Sequence, residues 1–409
     1  VLHSLNLKEV IIRGGEQTLT GGNVGNYPHE DYEIPYEAMH YKTSLLNLVL
    51  PDKLNKIGIA AFADCQNLTG TLNIPEGVTE IEVGAFYQCK NMTGSLNLPT
   101  TLKYIGRGEE RWWHGGTFTY CGFTCQLAFP SGVECILGNA FEGCKNLYGE
   151  LRLPDKLTKM GDFVFRDCHN ISGSLTIPQG VTSIPNNAFE YCGSLDGTLT
   201  LHDGIITIGE YAFRGTHFKG EIHLPKDLVV LSNYVFAGCD FSGELKLPEK
   251  LRTIGNNAFG SPVDGSSWRM MGTLDFPQDV ISIGQEAFYG CRSIEGINFP
   301  AGLESVGSGA FLDCFGIGSI VCKGTIPPYV QDGAFDGVSK DNFTLEVPES
   351  AIQQYQATPG WNDFKRIAAH RELVCRPSIA NAINTKCTRT LVIDAEGDWI
   401  VESMPNWCT

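Results

Sequence analysis

The chain has 409 residues, 42% of them hydrophobic and 19% charged, which describes an ordered protein and excludes a disordered one. Forty-six acidic residues against 30 Lys and Arg leave a net charge of −16. No basic stripe exists to replace phosphate counterions, and no run of about 18 apolar residues exists, so nucleic-acid binding and a membrane-spanning helix are excluded.

In chain order, the first residues, VLHSLNLKEV, show no basic head before an apolar stretch, so a secretory leader is expected outside this chain. Residues 1–37 are expected to form an N-terminal cap. Within it His29, Glu30 and Asp31 make the densest polar cluster near an end. We read it as a solvated loop, with a metal site as the alternative.

A period then dominates the chain. The pattern is Gly-x-Leu-x-Ile/Leu-Pro-x-x-Leu/Val-x-x-Ile-Gly-x-x-Ala-Phe-x-x-Cys-x-x-Leu, seen for instance in AFADCQNLTGTLNIPEGVTEI from Ala61. Its phenylalanines are Phe62, Phe86, Phe118, Phe141, Phe165, Phe189, Phe213, Phe236, Phe259, Phe288, Phe311 and Phe335. Nine of the eleven intervals are 23 or 24 residues, and Met39 marks a weaker copy 23 residues before Phe62. Leu72-Asn73-Ile74 is a period-2 step that predicts a short strand, and Pro75 ends it because proline cannot donate to a ladder. Val78, Ile81 and Phe86 supply further inward anchors. A 24-residue unit cannot bury these side chains alone, so the units must stack into a solenoid with one continuous core. Twelve coils at a rise of ~4.8 Å make a body about 58 Å long.

Nine of the fifteen cysteines stand three residues after the Phe: Cys65, Cys89, Cys121, Cys144, Cys168, Cys192, Cys239, Cys291 and Cys314. Thr216, Pro262 and Val338 take the same place elsewhere. A position that accepts such substitutes reads as a small half-buried site, not a ligand or nucleophile. Disulfides between successive coils are the alternative. No Cys-x-x-Cys pair occurs, which argues against structural zinc.

The LxIP…LxxIGxxAFxxC repeat, over residues 38–338, resembles the BspA-like (treponemal-type) leucine-rich repeat of bacterial surface proteins. The resemblance implies a right-handed leucine-rich-repeat solenoid of about 12–13 coils with short parallel strands, capped ends and a small β appendage at the C-terminus. It also implies a secreted or cell-surface location in a Bacteroidetes-like bacterium, and adhesion to extracellular host protein or matrix.

Two intervals are longer than the rest. One adds Arg111, Trp112, Trp113 and His114 between Ile105 and Phe118; the other adds Trp268, Arg269, Met270 and Met271 after Phe259. Insertions in repeat proteins become loops on one edge, often the binding edge, and Trp and Arg dominate interface hot spots. Arg111, Trp112, Trp113, His114, Trp268 and Arg269 are therefore the candidate ligand contacts. The alternative is that these aromatics fold back over the solenoid. On the strand face, the outward residues Val49, Asn73, Asn97, Ala128, Arg152, Thr176, Thr200, His223, Lys246, Asp275 and Asn298 include no aromatic. That face suits a protein partner or solvent better than a sugar platform.

Residues 339–369 are expected to cap the array, Ser350 capping a short helix through Tyr355 and Trp361 and Phe364 closing over the last coil. Residues 370–409 carry strand patterns at Thr390–Ile393 and Trp399–Val401 around an AEGD turn. They resemble part of a BACON-type or other immunoglobulin-like module. Forty residues are too few for a whole sandwich of about 100, so the segment is either a truncated module or a β appendage on the solenoid, the second being the expectation.

No HExxH, GxSxG, P-loop or Ca²⁺-loop motif appears, and the nine histidines scatter over unrelated repeat positions. Asn67, Asn91, Asn170 and Asn342 begin N-x-S/T triplets, three of them at one repeat position, which turn formation explains better than glycosylation. The expectation is a non-catalytic, monomeric binding or adhesion protein with no cofactor and no metal. Its partner is an extracellular protein. The alternatives are a glycan-binding accessory protein and a passive spacer.

Overall fold

The structure, a computed structural model, describes residues 4–8, 15–18, 26–29, 31–108, 115–260, 269–370, 391–393 and 399–401. It is a parallel β-solenoid in which most coils contribute two short strands and one tight turn. The first strand is the expected one: Leu72–Asn73 pairs in parallel with Leu96–Asn97, Leu opposite Leu and Asn opposite Asn. Leu72 and Leu96 are buried, while Asn97 Nδ2 donates outside to Asn73 Oδ1 at 2.6 Å. The second strand is more regular than the repeat pattern suggests. Ile81, read from the sequence as a lone anchor, lies in Glu80–Glu82, and the same position forms thirteen rungs from Glu33–Ile34 to Tyr329–Val330. Register puts like over like: Ile57 opposite Ile81, Ile81 opposite Ile105, Ile105 opposite Ile136.

The turn carries the repeat Phe. Its rings form a buried stack from Phe62 to Phe335 with successive centroids 5.2–5.7 Å apart. Each Phe from Phe62 to Phe311 donates its N–H to a carbonyl of the next coil at 2.7–3.0 Å. The cysteines explain themselves here. The Cys144 thiol donates to Phe118 O at 3.0 Å, Cys168 to Phe141 O at 3.1 Å and Cys192 to Phe165 O at 3.0 Å. Cys65 does the same for Met39 O at 3.1 Å, and Met39 N–H donates to Ala61 O, so the weak first copy is a full rung. The expected half-buried site is in fact fully buried, and Cys65, Cys89, Cys121, Cys144, Cys168, Cys192, Cys239, Cys291 and Cys314 are free thiols.

At the ends, Ser4–Asn6 pairs in parallel with Asn47–Val49, and Gly15–Thr18 pairs antiparallel with Asn26–His29. Glu30, of the polar cluster, lies outside the described residues. Trp361 is buried at the other end, its ring 5.5 Å from Phe335 and its Nε1–H donating to Pro328 O at 2.9 Å. Ser350 is not a cap: it sits inside a 3₁₀ turn, Glu349–Ala351, and the helix Ile352–Ala357 starts after Ala351 with no side-chain cap. Leu391–Ile393 and Trp399–Val401 pair antiparallel, and the rest of 371–409 lies outside the described residues.

Two outcomes follow from this packing. Phe189→Ala should cost about 3–5 kcal/mol in urea unfolding, as for any fully buried aromatic, while Asn97→Ala on the strand face should change stability by under ~0.5 kcal/mol. The ladder thiols also make stability depend on alkaline pH. Burial raises Cys65, Cys144, Cys239 and Cys314 from an ordinary value of 9.0 to about 12. The folded thiols stay protonated where unfolded ones ionise, so their contribution is complete below pH 9 and lost as pH rises towards 12. Urea midpoints between pH 8 and 11 should fall, and fall less in Cys144→Ala; thiol titration at pH 8 should find few reactive groups until denaturant is added.

Candidate ligand-binding site

The hydrogen bonding that stacks the turns forces unusual backbone on the residues beside the Phe. Two residues after it the chain is left-handed in coil after coil: Asp64, Gln88, Tyr120, Asp167, Tyr191 and Asp313 have φ of 57–59°. Two residues before it Phe163, Asn187, Tyr211, Tyr234, Asn257 and Glu286 are also left-handed. Such a conformation costs a non-glycine residue about 1–2 kcal/mol. It persists because alternate amides are bonded to the next coil, as in Tyr191 N–H to Arg214 O at 2.7 Å and Asn187 N–H to Glu210 O at 2.9 Å. Except for the buried Asp64 these positions are half-buried or exposed, so their side chains can vary without touching the core.

Between coils 189 and 288 that variation builds a cleft of about 550 Å³. The turn residues at its floor are Gly215, Ala237, Gly238 and Gly260. By coil order Tyr191 and Arg214 stand towards one end and Tyr289 at the other. Tyr234, Asn257 and Glu286 share the repeat position two residues before the Phe, which makes one rim; His169 and His217 share the position four residues after it, which makes the other. Glycine at 215 has a steric reason as well: a Cβ there would stand 2.8 Å from Tyr191 Cδ1, because the tyrosine ring lies over it.

Arg214 holds the aromatic end together. Its guanidinium carbon is 5.2 Å from the Tyr191 ring centroid, 5.4 Å from Tyr211 and 5.3 Å from Tyr234. Tyr211 and Tyr234 stack on each other at 4.9 Å. Beneath them lies Glu190, buried at 3% exposure, which would be costly unpaired. Its Oε2 accepts from Asn187 Nδ2 at 2.6 Å and lies 3.2 Å from Arg166 Nε, while its Oε1 accepts from Arg214 Nη1 at 3.3 Å. The arginine is thereby fixed in direction and neutralised in charge. Outside, His169 Nδ1 lies 2.8 Å from Tyr191 O, which accepts its proton. These groups can stack and hydrogen-bond, the equipment of a binding site. Among the described residues, no three His, Cys, Asp or Glu side chains are grouped to hold a metal ion, and no helix is long and apolar enough to cross a membrane.

Of the residues singled out from the sequence, Arg111, Trp112, Trp113, His114 and Trp268 lie outside the described residues. Arg269 is exposed and opens the strand Arg269–Asp275, which pairs with Ser242–Glu244. The second insertion therefore ends in strand, with Met270 buried and Met271 exposed. Asn67 and Asn170 bond the carbonyls of Thr43 and Lys145 in the preceding coil, so these asparagines tie turns across coils. The sequence reading missed the cleft because it looked for aromatics on the strand face. A usable signal exists: Tyr87, Tyr120, Tyr191, Tyr211, Tyr234 and Tyr289, six of fourteen tyrosines, fall within two residues of a repeat Phe.

The sequence matches the family described as "BspA type Leucine rich repeat region (6 copies)" over residues 32–172, 114–239, 170–262 and 267–356. No curated protein matches the chain. Among solved structures, a leucine-rich repeat protein from Bacteroides ovatus is 21% identical, covering 91% of this chain and 92% of that one at a TM-score of 0.54. A leucine rich cell surface protein from Faecalibacterium prausnitzii is 24% identical, covering 72% and 77% of the two chains at 0.40. A leucine rich repeat protein of T. pallidum is 24% identical, covering 45% and 69% at 0.31. The family match runs through the coils that carry the cleft, and the chain belongs to the BspA-type leucine-rich repeat family.

Proposed function

We propose that this is a non-catalytic, secreted or cell-surface binding protein that adheres to an extracellular macromolecule through its turn face. The observation that carries the reading is the cleft itself, with Arg214 clamped among Tyr191, Tyr211 and Tyr234 over a buried Glu190. Tyr and Arg are the residues most often found at interface hot spots, and a clamped side chain loses little entropy on binding. The turn ladder supports a rigid platform, since the left-handed residues that bear the rim are held by bonds to the next coil. A surface location is supported by the resemblance of the repeat to bacterial surface proteins. We further propose that Arg111, Trp112, Trp113, His114, Trp268 and Arg269 make a second contact; the exposure of Arg269 favours this.

Two variants test the assignment on purified protein, with immobilised extracellular-matrix proteins and polysaccharides as probes. Tyr191→Ala removes a ring that is 37% exposed, so it should cost under ~1 kcal/mol of stability while weakening binding at least tenfold, about 1.4 kcal/mol. Unchanged binding would move the contact surface elsewhere. Replacing Arg111, Trp112 and Trp113 together by Ala should leave the melting temperature nearly unchanged and weaken binding by more than ~1 kcal/mol. A large fall in melting temperature would mean that those tryptophans pack into the core, where each truncation costs about 3–5 kcal/mol.

A further inference from the structure

The chemistry of the cleft narrows what it can hold, on the reading that it is the contact surface. Its floor offers no strand edge to an extended peptide. Gly215 N–H is spent on Ala237 O at 2.7 Å, and Gly238 N–H on Gly260 O at 3.3 Å. Addition of a peptide strand, which depends on alternating free N–H and C=O groups, therefore lacks these two donors there. Directional contacts must come from the rim, and Arg214, Asn257 and Glu286 are planar groups with paired donors or acceptors. Paired groups of this kind match two neighbouring hydroxyls on a ring. The glycine and alanine floor and the tyrosines at both ends suit the C–H face of that same ring.

Spacing points the same way. Tyr191 and Tyr289 are separated by four coil steps, so at ~4.8 Å per step the cleft runs for about 19 Å, and each step is roughly the length of one pyranose ring. The charge favours a neutral ligand, because Arg214 already faces Glu190 and Glu286 adds a carboxylate to the rim. We infer that the cleft binds a neutral saccharide chain lying along the solenoid axis, about one sugar ring to each coil. The chain could belong to a free polysaccharide or be carried on a glycoprotein; the chemistry recognised is the same.

The test is an array of linear neutral oligosaccharides together with glycoproteins bearing neutral chains, the latter before and after enzymatic release of those chains. The informative variant is Gly238→Tyr. Tyr120 and Tyr191 occupy the same turn position with φ of 58°, each followed by glycine at that position in the next coil, Gly143 and Gly215. Gly238 is followed there by Ser261, so the variant also carries Ser261→Gly, and the new ring should then fill the cleft while the fold stands. Tyr289→Ala serves as a second variant if Gly238→Tyr melts early. The expected result is a glycan signal that falls at least tenfold in both variants, with melting temperatures near that of the parent. On the glycoproteins the signal should disappear once the chains are released. A silent array, or signals indifferent to both variants, overturns the saccharide assignment. Binding that survives release of the chains but is lost in the variants keeps the cleft as contact surface and assigns it to protein. Binding of every probe that ignores both variants overturns the cleft as well.

Discussion

One residue per coil holds this molecule in register: the repeat phenylalanine, whose N–H and carbonyl both bond to the coil that follows. Phe165 shows it whole. Its N–H donates to Ala188 O at 2.9 Å, its carbonyl accepts the Cys192 thiol at 3.0 Å, and its ring stacks on Phe189 at 5.6 Å. Hydrogen bond, thiol bond and ring contact all cross the same coil boundary. The strand columns, by comparison, are runs of two to seven residues. A left-handed residue on each side of the Phe is the cost of aiming that peptide along the axis, and the ladder supplies what offsets it.

The same constraint accounts for where binding chemistry can sit. Inward positions are taken by Leu, Ile and Phe, and the strand-face positions lie in flat ladders such as Asn73 and Asn97. The turn residues flanking the Phe are fixed in backbone but free in side chain, so they can be Asp in one coil, Tyr in the next and Gly in a third. Where glycine and alanine occur in consecutive coils, at Gly215, Ala237, Gly238 and Gly260, the surface sinks; where tyrosine stands before and after, at Tyr191 and Tyr289, the depression gains walls. Glu190 then couples surface to core, since the carboxylate that orients Arg214 is itself buried and held by Asn187 and Arg166.

Much of the fold was legible because burial leaves a periodic trace. The Phe interval, the Leu-x-Ile-Pro step and the Met39 copy read directly as stacked coils. The second strand column did not, since two-residue strands such as Lys159–Met160 are too short to show alternation. The role of the cysteines was hidden for a different reason. Substitution by Thr, Pro or Val reads as indifference to chemistry, and the Thr216 hydroxyl bonds Phe213 O of its own coil, which no spacing rule reveals. The cleft escaped notice because it is defined by absent side chains in successive coils, and because attention went to the tryptophan insertions.

Amide hydrogen exchange on the native protein tests the central claim most directly. If the phenylalanine ladder is what holds coil to coil, the amides of Phe141, Phe165, Phe189 and Phe213 should exchange only through global opening. They would then be among the slowest in the chain and would share the dependence of unfolding on urea. The opposite pattern, with those turn amides exchanging through local opening while Ile81, Ile105 and Ile184 in the strand columns stay protected, would contradict it.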